Sequence, residues 1–215
     1  DIITSNDFKS NEFRTQNKSS ETPKIQPKII SSMEELNIFV ESLMTYKNDK
    51  EPIAIDTETT NLNPFKAELV GLGFCFGNTL QDIVYIPIGH REKEEDLIEN
   101  NHINQLKIDE VIYSLKDWFS SEVHPKTLQN TKYDRLILLR HGILLNGVVF
   151  DTLLADYILD ATLKHSLEEI AFREFGFKPK SYSEIVKKGE DFSFVDINTA
   201  SMYCGMDVYL TRKLA

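Results

Sequence analysis

Two carboxylates stand two residues apart at the end of an apolar run, in the stretch PIAIDTETTNL. If IAIDTET forms a strand, Asp56 and Glu58 project from one face, because side chains i and i+2 of a strand lie on the same side. Two acids ~7 Å apart along a strand repel each other unless a cation lies between them. Their oxygen ligands suit Mg²⁺ or Mn²⁺ better than Zn²⁺. The pair therefore indicates a divalent-metal site, with a turn-capping aspartate beside a surface glutamate as the simpler alternative.

Two further pairs of polar residues follow at a spacing of four. Asn130 and Asp134 lie in QNTKYDRLIL, and Tyr203 and Asp207 lie in MYCGMDVYL. Residues i and i+4 share one face of a helix. Each pair alone has an ordinary explanation, since a first-turn acid is favoured by the helix dipole and an amphipathic helix carries surface acids. The order D-x-E, N-x-x-x-D, Y-x-x-x-D is more specific than any of its parts.

Hydrophobic periodicity predicts the elements that must position these residues. SSMEELNIFVESLM begins with a capping box and continues at helical spacing. The apolar run that ends at Asp56 is typical of a central strand, and two strand-like runs follow it. Alternating helices and strands then lead to a final helix that carries Tyr203 and Asp207. Meandering strands followed by alternating helices and strands predict an α/β fold with a mixed central β-sheet flanked by α-helices.

Composition divides the chain into a tail and a domain. Residues 1–27 are polar, lack an apolar period and carry equal numbers of acids and bases, so they are predicted to form a flexible linker. The net charge of −10 therefore lies in residues 28–215, where one globular domain is expected. A nucleic-acid binder is ordinarily basic, so this charge argues against one unless part of the acidity belongs to a metal site. No apolar run approaches the ~18 residues needed to span a bilayer.

The two cysteines are far apart in sequence. Cys75 and Cys204 each lie in an apolar setting. One pair makes no disulfide framework, and without His and Cys clustering it makes no zinc site. Two buried, reduced thiols in an intracellular protein are expected.

Taken together, the three motifs resemble those of the DEDDy 3′→5′ exonucleases, with DTET first, QNTKYD second and YCGMD third. The resemblance implies a ribonuclease H-like fold. NTKYDRLILLRHGI followed by VVFDTLLADYIL is similar to the 3′→5′ proofreading exonuclease domain of bacterial DNA polymerase I, family A. The likeness covers residues 28–215 and keeps all four acids and the tyrosine, which implies an active enzyme. Gly205 departs from the longer acidic third motif of the family and costs ~1 kcal/mol in a helix relative to alanine.

The resemblance implies two-metal phosphodiester hydrolysis, with two Mg²⁺ or Mn²⁺ ions ~3.5–4 Å apart. Asp56 would bridge both ions. Glu58 and Asp207 would complete the site of the ion that activates water, and Asp134 would hold the second ion. Tyr203 would orient the attacking hydroxide, since a phenol with a pKa of ~10 is a poor base at neutral pH.

Substrate contacts are also implied by the resemblance. Leu62 matches a leucine that wedges between the last bases of the strand, and Phe194 matches a phenylalanine that packs on the terminal nucleotides. The positions around the 3′ end and its phosphates are Thr59, Gln129, Asn130 and Tyr133. For each of these residues, simple packing is the alternative.

The expected function is a 3′→5′ exonuclease that removes nucleotides from the single-stranded or frayed 3′ end of DNA. The expected partner is a polymerase domain C-terminal to this chain, with no membrane involved, and the isolated domain is expected to be a monomer that binds DNA weakly. The resemblance implies a bacterial cytoplasmic, nucleoid-associated location, with an organelle as the alternative. An RNase D-like 3′→5′ exoribonuclease is one competing hypothesis. A catalytically silent single-strand-binding or spacer module is another.

Overall fold

A computed structural model describes residues 21–46, 51–77, 79–92 and 103–215. In this part of the chain, six strands form one mixed sheet in the order β1-β4-β3-β2-β5-β6. The strands are β1 (Lys28–Ile29), β2 (Ile53–Thr59), β3 (Leu69–Cys75), β4 (Ile83–Pro87), β5 (Lys126–Leu128) and β6 (Val148–Asp151). The helices are α1 (Met33–Thr45), α2 (Ile108–Ser120), α3 (Thr131–Arg140), α4 (Thr152–Leu159), α5 (Leu167–Phe175), the one-turn α6 (Tyr182–Ile185) and α7 (Ile197–Leu214).

Strand β2 lies inside the sheet, antiparallel to β3 on one side and parallel to β5 on the other. Its position explains the apolar run in the sequence, because a strand with neighbours on both sides and helices on both faces has no solvent side. In the β2–β3 register, Asp56 is paired with Gly73 and Glu58 with Gly71. The register shifts directly after Glu58. Such an irregularity bends the strand at the point where the chain leaves the sheet.

The two faces of the sheet are covered by different helices. On one face, Ile53 and Ile55 belong to the main hydrophobic core together with residues of α1 and α2. On the other face, Ala54 belongs to a second cluster with Met206 and Val208 of α7. Because side chains alternate along a strand, Asp56 and Glu58 lie on the face that α7 covers.

Gly205 of α7 has a packing explanation. A Cβ atom at Gly205 would lie 2.7 Å from Cγ of Pro27 and 3.1 Å from Cδ1 of Ile25. Ile25 is buried, and the amide of Gln26 donates a hydrogen bond to the carbonyl of Leu80. The segment before β1 therefore packs closely against α7 at Gly205, where a side chain would not fit without a shift.

The packed region extends N-terminally of the predicted boundary. Residues 1–27 are predicted to be a linker, but Ile25 is only 3% exposed and packs in the cluster beneath α7. The reason is local, since one isoleucine in a polar stretch gives no periodic signal. Residues 1–20 lie outside the described part of the chain, so the prediction of a flexible tail there stays a prediction.

The predicted order of helices and strands agrees with the structure from α1 to α5 and again at α7. Three short elements were not predicted, namely β1, α6 and a 3₁₀ turn at Phe192–Phe194. Each is at most four residues long, too short for a periodicity to be recognised. Of the predicted loop at 91–107, residues 93–102 lie outside the described residues. None of the helices in the described part of the chain combines the length and apolar character needed to span a bilayer.

Candidate active site

The centre of the site lies between β2 and α7. Asp56, Glu58 and Cys204 each offer one donor atom, and these three atoms all lie within 4.8 Å of one another. Cys204 Sγ is 3.9 Å from Oδ2 of Asp56. The i, i+2 spacing on β2 therefore brings the two carboxylates to one face, as predicted, and α7 adds a thiol that was not predicted.

Both carboxylates of β2 carry an electrostatic cost. Burial raises the pKa of Asp56 from 3.8 to about 6. Burial, and after it the nearby charges of Asp56 and Asp207, raise the pKa of Glu58 well above its usual value. Glu58 is only 6% exposed, and its Oε1 atom has no hydrogen-bond partner among the described residues. A buried carboxylate oxygen without a partner is costly, so these two side chains suit a positive charge that no ion pair within the described residues supplies.

Asp134 approaches β2 from α3. Its Oδ1 atom accepts a hydrogen bond of 2.7 Å from the Thr57 hydroxyl and one of 3.2 Å from the Thr57 amide. Burial, followed by the charge of Asp56, raises the pKa of Asp134 well above its usual value. Thr57 faces away from Asp56 because neighbouring side chains alternate. Asp134 is therefore coupled to the centre electrostatically but stands outside the group of donor atoms within 4.8 Å.

Tyr203 and Asp207 lie one turn apart on α7. Burial, followed by the charges of Asp56 and of Glu168 on α5, raises the pKa of Asp207, while a hydrogen bond from Tyr203 lowers it. Burial and neighbouring carboxylates raise the pKa of Tyr203 far above 10. Tyr203 is therefore a neutral phenol at physiological pH, which fits an orienting role and not that of a base.

The loop after β2 presents apolar side chains to solvent. Leu62 is 93% exposed and Phe65 is 72% exposed. The hydroxyl of Tyr133 on α3 bonds to the Thr59 hydroxyl and donates to the carbonyl of Asn61. The loop is thus fixed to α3 while its apolar tips stay free of packing. Two neighbouring apolar tips beside the carboxylates are a surface that a ligand could cover.

Gln129 and Asn130 connect β5 to the neighbouring elements. The Gln129 amide donates to the carbonyl of His165 and accepts from the Thr152 hydroxyl. Asn130 has the left-handed conformation (φ 65°), and its N–H donates to Asp151. These bonds hold the start of α3 and the segment before α5 next to the site. Both residues therefore have a positioning role in the fold, and the exposed Asn130 side chain remains available for a ligand.

Phe194 is partly exposed in the 3₁₀ turn before α7. Its neighbour Phe192 is buried, with its ring centroid 5.9 Å from that of Tyr203. Packing of Phe192 therefore fixes the turn against α7 and leaves Phe194 at the surface.

Three residues near the site were not singled out from the sequence. Cys204 lies three positions before Asp207, a spacing that places both on one helical face and was a usable signal. Glu168 acts on Asp207 from another helix, and the sequence contains no local sign of that proximity. Phe65 is an apolar residue in a polar loop, which by itself is common.

Comparison with known proteins agrees with this geometry. A protein-family model described as 3′-5′ exonuclease matches residues 27–215. DNA polymerase I of Synechocystis sp. is 37% identical over 193 residues, which are 89% of this chain and 19% of the relative. The chain spans only about a fifth of the length of the curated relatives that it matches.

Solved structures agree in fold. RNase D of Trypanosoma brucei, in complex with RNA U12, matches with a TM-score of 0.66 at 14% identity, covering 89% of this chain and 61% of that one. NrnC of Brucella melitensis with bound Mg²⁺ matches with a TM-score of 0.52 at 18% identity, covering 77% of this chain and 70% of that one. At these identities the likeness shows the fold alone, which is ribonuclease H-like. With the family model covering residues 27–215, the chain belongs to the 3′→5′ exonuclease family found in bacterial DNA polymerase I.

Proposed function

We propose that this chain removes nucleotides from the single-stranded or frayed 3′ end of DNA by metal-dependent phosphodiester hydrolysis, as the proofreading unit of a DNA polymerase I. The observation that carries the proposal is the set of four acids around β2. Asp56, Glu58, Asp134 and Asp207 all have pKa values raised primarily by burial. None of them forms an ion pair with a Lys, Arg or His side chain within the described residues.

The residues present fit divalent cations. The unpartnered Oε1 of Glu58 is the kind of buried atom that a bound cation would satisfy. The carboxylate-rich donor set suits Mg²⁺ or Mn²⁺. We propose that two such ions bind here: Asp56 would be a ligand to both, Glu58 and Asp207 would hold one, and Asp134 would hold the other. When bound, these ions supply an activated water and offset the negative charge on the phosphate.

The chain's own residues would orient the reacting groups and exclude bulk water from the site. Thr57 holds one oxygen of Asp134, so that this carboxylate keeps its orientation. Tyr203 keeps its proton and can hydrogen-bond to the attacking oxygen. The apolar cluster behind it, which includes Phe192 and Cys204, keeps bulk water away from that side of the site. Water exclusion strengthens each of these electrostatic contacts.

The loop after β2 is proposed to hold the substrate strand. Leu62 would wedge beside the terminal bases, and Phe65 adds an exposed ring at the same tip. Apolar and aromatic contacts with bases do not depend on their sequence, as a proofreading site requires. Phe194, Asn130 and Tyr133 would line the rest of the path. Because the domain is acidic, affinity for DNA is proposed to come from these contacts and the ions, with duplex binding left to the attached polymerase domain.

The test is shortening of a 5′-labelled single-stranded DNA from its 3′ end, with Mg²⁺ or Mn²⁺ and with EDTA. Wild-type protein should produce a ladder that depends on the cation. Asp56→Ala should lower the rate by at least about 10³-fold, since the shared ligand is lost. Asp109→Ala is the matched control, because Asp109 is an exposed acid in the first turn of α2. Equal rates for wild type and Asp56→Ala would refute the proposal.

An RNA of the same sequence distinguishes the two enzyme hypotheses. Faster removal of ribonucleotides than of deoxyribonucleotides would favour an RNase D-like exoribonuclease. Binding of either strand without cleavage at any cation concentration would favour a silent module. A monomeric state and a bacterial cytoplasmic location belong to the proposal.

A further inference from the structure

Cys204 is the third member of the group of donor atoms at the centre of the site. Its Sγ lies with oxygens of Asp56 and Glu58 in a set whose members are all within 4.8 Å of one another. A tetrahedral zinc ion with bonds of about 2.0 Å to oxygen and 2.3 Å to sulfur holds these two atoms about 3.5 Å apart. The observed separation of Sγ from Oδ2 of Asp56 is 3.9 Å. Small side-chain adjustments would therefore bring the thiol into the coordination sphere of one ion.

The thiol reaches this position because of the strand behind it. Gly73 is paired with Asp56 across the β2–β3 register, and a Cβ atom at Gly73 would overlap Cys204 Sγ. The glycine thus leaves room for the sulfur on the sheet surface next to the carboxylates.

An independent observation indicates that a ligand belongs there. Glu58 is more than nine-tenths buried, and its Oε1 has no hydrogen-bond partner among the described residues. The same carboxylate contacts the Cys204 thiol. The unpartnered carboxylate oxygen of Glu58 and the thiol of Cys204 are both buried. With Asp56 they form a mixed oxygen–sulfur ligand set of three residues.

We propose that Cys204 supplies a thiolate ligand at the Asp56–Glu58 centre, so that this site binds thiophilic divalent cations of the Zn²⁺ and Cd²⁺ class. The inference rests on the proposed function only in so far as Asp56 and Glu58 hold a cation. As the sulfur–metal bond forms, the thiol proton is released to solvent, and no redox change occurs. Soft thiolate ligands favour zinc-like ions over Mg²⁺. Such ions would therefore compete with Mg²⁺ for the centre.

Cd²⁺ is the probe, because a Cd²⁺–thiolate bond gives an ultraviolet charge-transfer absorption that carboxylates alone do not give. The whole chain, with its cysteines reduced and metals removed by EDTA, is titrated with Cd²⁺. In wild type, this absorption band should appear and reach its maximum at one equivalent of Cd²⁺ per chain. In Cys204→Ala the band should be lost and Cd²⁺ affinity should fall by at least about tenfold, whereas Mg²⁺ affinity should change by less than about threefold.

Cys75→Ala is the matched control, since Cys75 is also a buried free cysteine but lies outside the group. It should keep the band and the affinity. Cys204→Ser, which keeps the size of the side chain, should lose the band. The ¹¹³Cd chemical shift of wild type reports sulfur ligation without any mutation, so the test does not depend on a variant that folds.

A band that is absent in wild type, survives in Cys204→Ala or disappears in Cys75→Ala would overturn the inference. That failure is separate from failure of the proposed function. If Asp56→Ala abolishes Mg²⁺-dependent cleavage but no band depends on Cys204, only the thiolate inference is refuted. If the band depends on Cys204 but Asp56→Ala leaves cleavage unchanged, only the exonuclease proposal is refuted.

Discussion

At the residue scale, the site depends on side chains that hold the carboxylates as well as on the carboxylates themselves. Thr57 gives Asp134 both a hydroxyl and an amide hydrogen bond in a buried setting. Without the hydroxyl, Oδ1 of Asp134 would keep only the longer amide bond of 3.2 Å while remaining buried. Losing one hydrogen bond to a buried carboxyl group costs about 1–3 kcal/mol.

Thr57→Val should destabilise the protein by about 1–3 kcal/mol and lower the cleavage rate, since Asp134 loses its fixed orientation. Thr127→Val is the control, because the Thr127 hydroxyl is buried on β5 and has no partner within the described residues. The control should be neutral or slightly stabilising. Urea unfolding and the exonuclease rate measure the two effects, and equal behaviour of the two variants would contradict this role of Thr57.

The exposed side chains of Leu62 and Phe65, in the loop after β2, are also tested one residue at a time. Leu62→Ala and Phe65→Ala should leave the free energy of unfolding nearly unchanged, because both side chains are mostly exposed. Each should raise KM for single-stranded DNA several-fold through lost contact with bases. Val123→Ala serves as control, as Val123 is also strongly exposed but lies in the turn before β5. Unchanged KM in both loop variants would exclude the loop from substrate binding.

At the element scale, α7 is the organising helix. It covers the face of the sheet that carries Asp56 and Glu58, and it brings Tyr203, Cys204 and Asp207 to them. Its approach depends on glycines at both contacts, Gly73 on the sheet side and Gly205 on the side of the N-terminal segment. The third motif is therefore a packing motif as well as a chemical one.

Gly205→Ala tests this packing. In an exposed helix the change would stabilise by up to about 1 kcal/mol. Here the new methyl would lie 2.7 Å from Pro27 Cγ, so a net destabilisation of about 1–3 kcal/mol is expected. Pro27→Ala removes that atom and should restore part of the loss in the double variant, as a double-mutant cycle would show. Additive effects in the cycle would contradict a direct clash.

At the scale of the whole molecule, four acids with raised pKa values, of which Glu58 and Asp134 are buried, make stability depend on pH and on cations. The pKa of Asp56 in the folded state is about 6, above its ordinary 3.8. The folded state therefore favours the protonated form. The contribution of this group to stability is fully present below about pH 4 and is lost as pH rises through 6. Cations reverse the loss, because they bind the ionised form.

In EDTA, the thermal midpoint should fall between pH 5 and pH 7.5, and added Mn²⁺ should raise it more at pH 7.5 than at pH 5. Asp56→Asn cannot ionise at this position and should show a smaller fall and a smaller response to Mn²⁺. Thermal unfolding over this pH range measures both. A Mn²⁺ effect of equal size at the two pH values would show that the cation binds elsewhere.

Sequence alone determined the strand β2, the helices α3 and α7, and the four acids with Tyr203 that they carry. These follow from periodicity and motif spacing, which are local in the chain. It determined the α/β class and, through the resemblance, the exonuclease family, which the comparisons confirm. The two-residue spacing of Asp56 and Glu58 also determined that both carboxylates share one face of β2, since alternation along a strand is a local property.

Tertiary structure decided what lies between elements distant in sequence. Cys204 meets Asp56 across 148 positions, and Asp134 is held by Thr57 across 77. Ile25 and Pro27 approach α7 closely at Gly205, where a Cβ atom would lie 2.7 Å from Pro27 Cγ. Gln129 holds the segment before α5, and its predicted contact with substrate stays a prediction. Burial sets each of these roles, and burial depends on how the whole chain packs, which no local pattern encodes.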